Sequence, residues 1–318
     1  MLLLCACAGG KEQDTDTHLA IAWSNVPDSE SYQSTIVAAR ETGADVVLLE
    51  MVRSADLLYD EEGLLQDAKD EHGILRSDAA GLVKSRTWRN SNVEEVMKDI
   101  DCLILPGGWD ISPSLYRIEQ PWHGIKEDGE YCAERDVSDY LLLSYCLDKD
   151  IPVYCICRGM QMLGVVSGAE MIQDIGNYFQ EKGIEYTDMH RDPDRKAFLA
   201  HDVEILSHDS LIYETTGKDK LERCPSWHHQ MVGDVSGTEL TVTATTETNG
   251  VAVIEAVERK DKHFCIGVQF HPEIAVRKHV EKADDADTFM DYETAMSGFR
   301  ALVKQGNGSY KTKQENTS

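Results

Sequence analysis

Short apolar runs alternate with helix-like segments along the first half of the chain. Residues 19–23 and 45–50 are almost continuously apolar, and between them Ser29 or Ser31 can cap a helix that ends at Gly43. Continuous apolar runs are typical of strands in a parallel sheet that is covered on both faces. The pattern therefore predicts a βαβ unit with a right-handed crossover.

The hydrophobic pattern continues through the middle of the chain and then changes. Residues 101–105 form a third apolar run, a helix is predicted from Glu134 to Leu147, and a further strand follows at 153–156. Beyond residue 200, apolar and polar positions alternate with period two, which is typical of antiparallel strands. We therefore predict an α/β, flavodoxin-like fold with a mostly parallel central sheet, flanking helices, and antiparallel strands in the C-terminal half.

Three stretches fit this pattern less well. Residues 51–92 carry many charges among scattered leucines, and they are either a helical insertion near a site or, the interpretation we favour, a surface excursion. His190 and His201 bracket a charged, irregular segment; each is either a residue that lines a site or, the more common case, a solvated loop residue. Residues 18–304 are expected to form one domain, followed by a disordered tail at 305–318.

The first residues leave two interpretations open. The sequence Leu-Cys-Ala-Cys ending at Cys7 resembles a bacterial lipobox, and residues 1–17 would then be the remnant of a lipoprotein signal and its tether. The apolar run is short for a signal peptide, and no basic residues precede it. Either the true start lies upstream of Met1, or these residues are an ordinary frayed N-terminus. The expected location is the cytoplasm, with a surface lipoprotein as the alternative if the true start lies upstream. Attachment to a membrane is expected only through a lipidated Cys7.

Composition narrows the classes of partner and cofactor. The formal net charge of −26 would repel phosphate backbones and anionic membrane surfaces, so nucleic acid is not an expected partner. The nine cysteines are an odd number, and no Cys-x-x-Cys or Cys/His spacing resembles a zinc site. We therefore predict reduced thiols, no structural metal site and no cofactor.

Cys157 is the candidate nucleophile among these cysteines. It follows the β-type run 153–156 and precedes the helix-friendly run 160–163, with Gly159 at the change of direction. A strand, a sharp turn and a helix make a nucleophile elbow, in which the helix N-terminus favours the thiolate and backbone N–H groups can receive an oxyanion.

Two further segments carry groups that would complete such a site. His271 and Glu273 close a predicted strand, with Pro272 stiffening the turn between them, so the carboxylate can orient the imidazole. Another strand ends in Gly107 and Gly108, which allow the backbone to approach a ligand. A thiol, a base, an orienting acid and an oxyanion site are what cysteine-catalysed acyl transfer requires.

These motifs resemble the class I glutamine amidotransferase-like hydrolases, and within them the gamma-glutamyl-gamma-aminobutyrate hydrolase branch. The likeness covers roughly residues 18–304, and the matching segments occur in the family's order. They are 105–110 (Leu-Pro-Gly-Gly-Trp-Asp), 134–136 (Glu-Arg-Asp), 157–161 (Cys-Arg-Gly-Met-Gln), 226–230 (Ser-Trp-His-His-Gln) and 268–273 (Val-Gln-Phe-His-Pro-Glu).

The resemblance implies hydrolysis of gamma-glutamyl amides, as in putrescine catabolism, by a Cys157–His271–Glu273 triad through a glutamyl thioester. The partner would be a small gamma-glutamyl substrate. A homodimer is the candidate assembly, although the sequence does not determine the oligomeric state. Backbone amides near Gly108 and Arg158 would hold the oxyanion. The implied oxyanion and substrate-binding residues are Gly107, Gly108, Trp109, Arg158, Gln161, His228, His229 and Gln230.

The sequence departs from the branch at two positions and in the length of the 51–92 excursion, which could alter the leaving-group pocket, and it leaves two other functions open. Cys155 stands where elbows usually carry Gly or Ala, and Pro225 stands where the branch commonly has Asn, which puts one substrate contact in doubt. The first alternative function is a glutaminase subunit that delivers ammonia to a separate synthase. The second is a non-catalytic surface protein that binds gamma-glutamyl compounds, although an intact triad argues against it.

Overall fold

A computed structural model describes residues 17–119, 130–187 and 190–315, with side chains described as far as residue 307. Cys5 and Cys7, on which the lipoprotein interpretation depends, lie outside these residues. The strands are β1 His18–Ile21, β2 Asp45–Leu48, β3 Cys102–Leu105, β4 Val153–Ile156, β5 Met171–Ile172, β6 Leu199–Ile205, β7 Lys220–Ser226, β8 Met231–Val232, β9 Leu240–Thr248, β10 Val251–Arg259 and β11 Cys265–Val268. The helices are α1 Glu30–Glu41, α2 Ser77–Arg86, α3 Val93–Val96, α4 Ala133–Lys149, α5 Arg158–Ser167, α6 Ile175–Glu181, α7 Leu211–Thr216, α8 Pro272–Glu281 and α9 Tyr292–Glu315.

The main sheet has the strand order β2-β1-β3-β4-β11-β10-β9-β6-β7. The pairs from β2 to β11 are parallel, and the pairs from β11 to β7 are antiparallel. The predicted α/β fold with antiparallel strands in the C-terminal half is therefore confirmed. Because β3, β4 and β11 are adjacent and parallel, the segments that follow them meet at one edge of the sheet.

Almost all side chains of β1, β3, β4 and β11 are buried on both faces of the sheet, which explains their continuous apolar runs, whereas the edge strand β2 is partly exposed. In β3, Leu103 and Leu105 pack into one core cluster, which includes residues of α2, α4 and α5. Cys102 and Ile104 point into the other, which includes residues of α1, α8 and α9. Ser29 is the N-cap of α1 and accepts a hydrogen bond from the N–H of Tyr32, which settles the choice between the two serines.

The 51–92 segment packs against the start of α4. Glu134 Oε1 accepts hydrogen bonds from the N–H of Leu65 at 2.7 Å and from Lys69 Nζ at 2.5 Å. Ser138 Oγ accepts from the N–H of Val52 at 2.9 Å. The segment contains two short turns and α2, and its buried leucines explain why it is ordered against the core.

The last helix does not stop where the sequence predicted. It continues to Glu315, so most of the expected tail at 305–318 is helical, and residues 316–318 lie outside the described part. Leu302 and Val303 are buried, and Gly306 packs so closely on the sheet that an added Cβ would lie 3.0 Å from Cys102 Sγ. This packing against the sheet stabilises the helix beyond residue 304. None of the helices within the described residues is long and apolar enough to cross a membrane.

Candidate active site

Cys157 stands between β4 and α5 in a strained backbone conformation. Its φ of 51° and ψ of −108° lie in a region that side-chain-bearing residues rarely adopt. Its N–H donates to the carbonyl of Val268 on the neighbouring strand at 2.7 Å, which helps to hold the turn. The strand, turn and helix predicted around Cys157 are therefore present. As the N-cap of α5, Cys157 lies beside the N–H groups of the first helical turn, which have no partner within the helix.

Gly159 is required by the close approach of the elbow to β3. A Cβ at this position would lie 2.1 Å from the carbonyl oxygen of Leu105, a distance that no side chain tolerates. The elbow can therefore sit against the end of β3 only with glycine here. This contact brings the Pro106-Gly107-Gly108 turn next to the thiol.

His271 and Glu273 form a buried pair at the start of α8. His271 Nδ1 lies 2.6 Å from Glu273 Oε1, and Ser31 Oγ donates to the same carboxylate oxygen at 2.8 Å. Pro272 occupies the first turn of α8, and the N–H of His271 donates to the carbonyl of Pro225 at 2.8 Å. The backbone carbonyl of Pro225, where the gamma-glutamyl-gamma-aminobutyrate hydrolase branch commonly has Asn, therefore helps to fix the position of the imidazole.

The protonation of His271 depends on its neighbours. Burial alone would lower its pKa, but Cys157 and Glu273 together raise the pKa of His271 well above its ordinary value. Because Nδ1 is engaged with Glu273, Nε2 is the ring nitrogen left to exchange a proton with the thiol. The arrangement favours an imidazolium beside Cys157.

Gly107 lies at the point where these groups converge. A Cβ on Gly107 would lie 2.9 Å from His271 Cε1, 3.0 Å from Ser31 Oγ and 3.5 Å from Cys157 Cβ. The absence of a side chain therefore lets the turn after β3 pass directly beside the thiol and the imidazole.

Gly108 also has no space for a side chain, because the guanidinium group of Arg135 lies beside it. Its φ is 155°, and an added Cβ would lie within 1.9 Å of Arg135 Nη1. Arg135 Nη2 donates to the carbonyls of Pro106 at 3.1 Å and Gly107 at 2.7 Å, which fixes the turn from behind.

The side chain of Arg158 is committed to a buried ion-pair network. Its guanidinium contacts Asp139 and lies 2.6 Å from Asp136 Oδ1, and Asp136 in turn accepts hydrogen bonds from the N–H and the hydroxyl of Ser112. The side chain is 1% exposed and is not among the described groups that line the cavity. Only the backbone N–H of Arg158 is therefore available as an oxyanion donor.

A cavity of about 500 Å³ opens above Cys157 and His271. Gln161 and Gln230 line it, and Gln161 Nε2 contacts the carbonyl of Gln230 at 3.3 Å. The side-chain amide of Gln230 is buried and has no hydrogen-bond partner among the described residues. The remaining lining residues are Ser29, Glu30, Ser31, Gly108, Trp109, Asp110, Glu130, Arg191, Arg195, Lys196, Ala197, Phe198, Trp227, His228 and His229.

His229 is held between two carboxylates at the wall of this cavity. Its Nε2 lies 3.1 Å from Asp110 Oδ1 and its Nδ1 lies 3.4 Å from Asp174 Oδ2. Burial opposes the charge, but hydrogen bonds to Asp110 and Asp174 raise the pKa of His229 to about 9. His229 is therefore a cation at neutral pH, with both ring nitrogens directed at protein groups.

His228 belongs to a second cluster rather than to the cavity alone. His190, His201 and His228 surround the buried carboxylate of Glu255, with donor atoms of all four residues within 4.8 Å of one another. His190 and His201 are 0% and 7% exposed, so the prediction that they are solvated loop residues is wrong. Burial lowers the pKa of His201 and of His228. Sequence spacing could not reveal this cluster because its members come from separate segments.

Two residues of the site were missed at the level of sequence. The sequence indicates Ser31 only as a candidate helix cap, yet its hydroxyl donates a hydrogen bond to Glu273. No sequence signal indicates Phe198, whose ring contacts that of His271 with centroids 5.1 Å apart. The position of Ser31 in the first turn of α1, the helix that follows β1, is the signal that could indicate it, because β1 is a neighbour of β3 in the sheet. Cys155, in contrast, is fully buried in β4, and burial raises its pKa well above the ordinary value.

Comparison with known proteins places these features in a family. The profile of the family described as Peptidase C26, whose members are class I glutamine amidotransferase-like enzymes, matches residues 73–273. The chain is 35% identical over 190 residues to protein NtpR of Enterococcus hirae, an alignment that covers 60% of this chain and 72% of that protein. It is 26% identical over 189 residues to a gamma-glutamyl-gamma-aminobutyrate hydrolase of Escherichia coli O157:H7, covering 58% of this chain and 68% of that protein.

The fold comparison agrees with the sequence comparison. A crystal structure from Thermoplasma acidophilum, of a protein provisionally named as part of a GMP synthase, superposes with a TM-score of 0.51 at 13% identity, covering 94% of this chain and 98% of that one. A likeness at this identity shows the shared fold alone. The family match spans well over half of the chain and includes the elbow and the His271–Glu273 pair. The chain is therefore a member of the Peptidase C26 family, an enzyme of the class I glutamine amidotransferase-like hydrolase type.

Proposed function

We propose that this protein hydrolyses gamma-glutamyl amides, with Cys157 as nucleophile, His271 as general acid and base, and Glu273 as the group that orients His271. The observation that carries the proposal is the meeting of the three residues at one point. The strained Cys157 and His271, which pairs with Glu273 at 2.6 Å, line the same cavity, and the turn at Gly107 passes directly beside both.

The proposed reaction has two stages. The Cys157 thiolate attacks the gamma-carbonyl carbon, and the N–H groups of Gly108 and Arg158 stabilise the resulting oxyanion. The imidazolium of His271 donates its Nε2 proton to the departing nitrogen, the C–N bond breaks, and a glutamyl thioester remains on Cys157. His271 then takes a proton from water, whose oxygen attacks the thioester and releases glutamate and the thiol.

The cavity supports a glutamyl group bound at its floor and a polar amine near its rim. The buried amides of Gln161 and Gln230 supply donors and acceptors beside Cys157. The basic side chains of Arg191, Arg195 and Lys196 line the same cavity. We infer that they favour a leaving amine that carries a carboxylate, as gamma-aminobutyrate does, by charge attraction.

The test is glutamate release from matched substrates: gamma-glutamyl-gamma-aminobutyrate, the gamma-glutamyl amide of an uncharged alkylamine, and glutamine. The wild type should release glutamate, with the highest kcat/KM for the carboxylate-bearing amide. Cys157→Ala should lower kcat by about four orders of magnitude. Cys132→Ala, a half-buried thiol outside the described cavity lining, is the control and should retain activity. Turnover that survives in Cys157→Ala, or no turnover of any amide by the wild type, would refute the proposal.

The alternative function is a glutaminase subunit, supported by the names of some relatives. A provisionally named glutamine amidotransferase-like protein of Rickettsia prowazekii is 29% identical over 230 residues, covering 61% of this chain and 78% of that protein. A glutaminase would turn over free glutamine at least as well as the other amides, and faster when its synthase is added. Preference for gamma-glutamyl-gamma-aminobutyrate without any partner would exclude it.

A further inference from the structure

The cluster of His190, His201, His228 and Glu255 has the geometry of a metal site. The Nε2 atoms of the three histidines lie 3.4, 3.6 and 3.8 Å from Glu255 Oε1, in the order His190, His201, His228. Charge-assisted hydrogen bonds between nitrogen and a carboxylate are shorter, about 2.7–2.9 Å. In a tetrahedral zinc site with bonds of about 2.1 Å, neighbouring donor atoms are about 3.4 Å apart. The three distances to Glu255 Oε1 match the edges of such a tetrahedron better than they match hydrogen bonds, and the donor atoms of all four residues lie within 4.8 Å of one another.

The other ring nitrogens are held by partners outside the cluster. His190 Nδ1 lies 3.0 Å from Tyr186 Oη, His201 Nδ1 lies 3.2 Å from the carbonyl of Asp202, and His228 Nδ1 lies 2.9 Å from the carbonyl of Gln230. A hydrogen bond from Nδ1–H to a carbonyl leaves Nε2 as the lone-pair nitrogen and fixes the direction of the ring. Metal-binding histidines almost always make such a hydrogen bond through the ring nitrogen that does not bind the metal.

The backbone is shaped to direct these side chains inward. The β9–β10 pairing shifts register at Glu255, and the β6–β7 pairing shifts register directly after His201. Such bulges re-aim side chains next to sites. The carboxylate of Glu255 is fully buried, and neither of its oxygens has a hydrogen-bond partner among the described residues. A buried carboxylate costs several kcal/mol unless a cation or hydrogen bonds compensate it.

We propose that His190, His201, His228 and Glu255 bind one divalent cation, with Zn²⁺ preferred because three imidazoles and one carboxylate suit its tetrahedral coordination. All four positions are filled by protein, so this is a structural site and not a second catalytic centre. His190 and His201 flank the segment 191–198, which contributes Arg191, Arg195, Lys196, Ala197 and Phe198 to the wall of the cavity. The cation joins both ends of this wall to β10 and to the 228–230 loop.

The first test is metal analysis of the full-length protein, purified without a histidine tag and incubated with zinc before extensive dialysis. About one zinc per chain is expected. Cobalt substituted at the site should give the intense visible bands of tetrahedral Co²⁺. Removing the metal with a chelator should lower the Tm by about 5 °C, and returning zinc should restore it. A folded wild type that takes up no zinc and shows no change in Tm would overturn the proposal.

Matched variants separate this site from other metal-binding groups. His201→Gln and Glu255→Gln should lose the bound zinc. His208→Gln, which changes an exposed histidine outside the cluster, should keep it. Cys157→Ala removes the other thiol–imidazole pair that zinc could bind, and it should also keep one zinc. Loss of zinc from Cys157→Ala with retention in Glu255→Gln would assign the metal to the active site and refute the proposal. Because metal content is measured without substrate, the result is independent of the proposed hydrolase activity.

Discussion

The charge on His229 predicts a measurable dependence of stability on pH. The imidazole is 12% exposed and lies between Asp110 and Asp174, which raise the pKa of His229 to about 9 from its ordinary value of 6.5. Because the folded state binds the proton of His229 more tightly than the unfolded state, the protonated imidazole contributes its full stabilisation below about pH 6.5. This contribution to the free energy of unfolding is lost as the pH rises to about 9. Over that window the folded state holds about one more proton than the unfolded state.

The size of the effect follows from the shift in pKa. Each pKa unit corresponds to about 1.36 kcal/mol, so a shift of about 2.5 units, from 6.5 to about 9, gives about 3 kcal/mol of the free energy of unfolding. His229→Gln keeps a polar side chain but cannot titrate. The stability difference between wild type and His229→Gln should therefore be about 3 kcal/mol larger at pH 6 than at pH 9.

The assay is urea unfolding followed by tryptophan fluorescence, in reducing buffer, at intervals from pH 6 to pH 9. Comparing the two proteins removes contributions from other titrating groups, including His271, that both share. His208→Gln, which removes an exposed imidazole far from Asp110 and Asp174 in the sequence, serves as the control and should not reproduce the change of about 3 kcal/mol. If the difference between wild type and His229→Gln were constant across this range, the assignment of a cationic His229 held by two carboxylates would be wrong.

Three further predictions concern the candidate active site and its support. Ser31→Ala removes a 2.8 Å hydrogen bond to Glu273 and should lower kcat about tenfold with little change in KM, whereas an unchanged kcat would show that Ser31 has no positioning role. Arg158→Met leaves the buried carboxylate of Asp136 without its charged partner and leaves Asp139 with Arg135 alone. It should destabilise the protein by about 3–5 kcal/mol in urea unfolding, and a loss below about 1 kcal/mol would contradict the buried ion pairs. Iodoacetamide at neutral pH should modify Cys157 ahead of the other described cysteines, because burial raises the pKa of most of those other thiols. Peptide mass spectrometry would measure the labelling, and equal labelling of all these cysteines would contradict the prediction.

The sequence alone predicts those parts of the candidate site whose residues lie close together along the chain. The elbow at Cys157 requires only a strand, one strained residue and a helix, and these three parts follow one another directly in the sequence. The pairing of His271 with Glu273 is equally local, because Pro272 starts α8 and places both side chains in its first turn. Local backbone preferences and hydrophobic periodicity are sufficient for such features.

The contributions of distant segments could not be predicted in this way. Nothing in the sequence near Ser31 indicates that it reaches Glu273, 242 positions away, because this contact depends on the order of strands in the sheet. For the same reason, the sequence near Arg158 does not indicate that buried carboxylates of α4 hold its side chain, which leaves its backbone N–H for the oxyanion role that the resemblance implies.

By itself, the sequence determined the α/β class, the strand–turn–helix at Cys157 and the local His271–Glu273 pair, since each follows from residues within one short window. Only the tertiary structure decided how the ends of β3, β4 and β11 form one site, and that three histidines from separate segments surround Glu255. The physical reason is that strand order and register are set by burial of the whole sheet between its two layers of helices. That global balance of packing is not encoded in any single stretch of the chain.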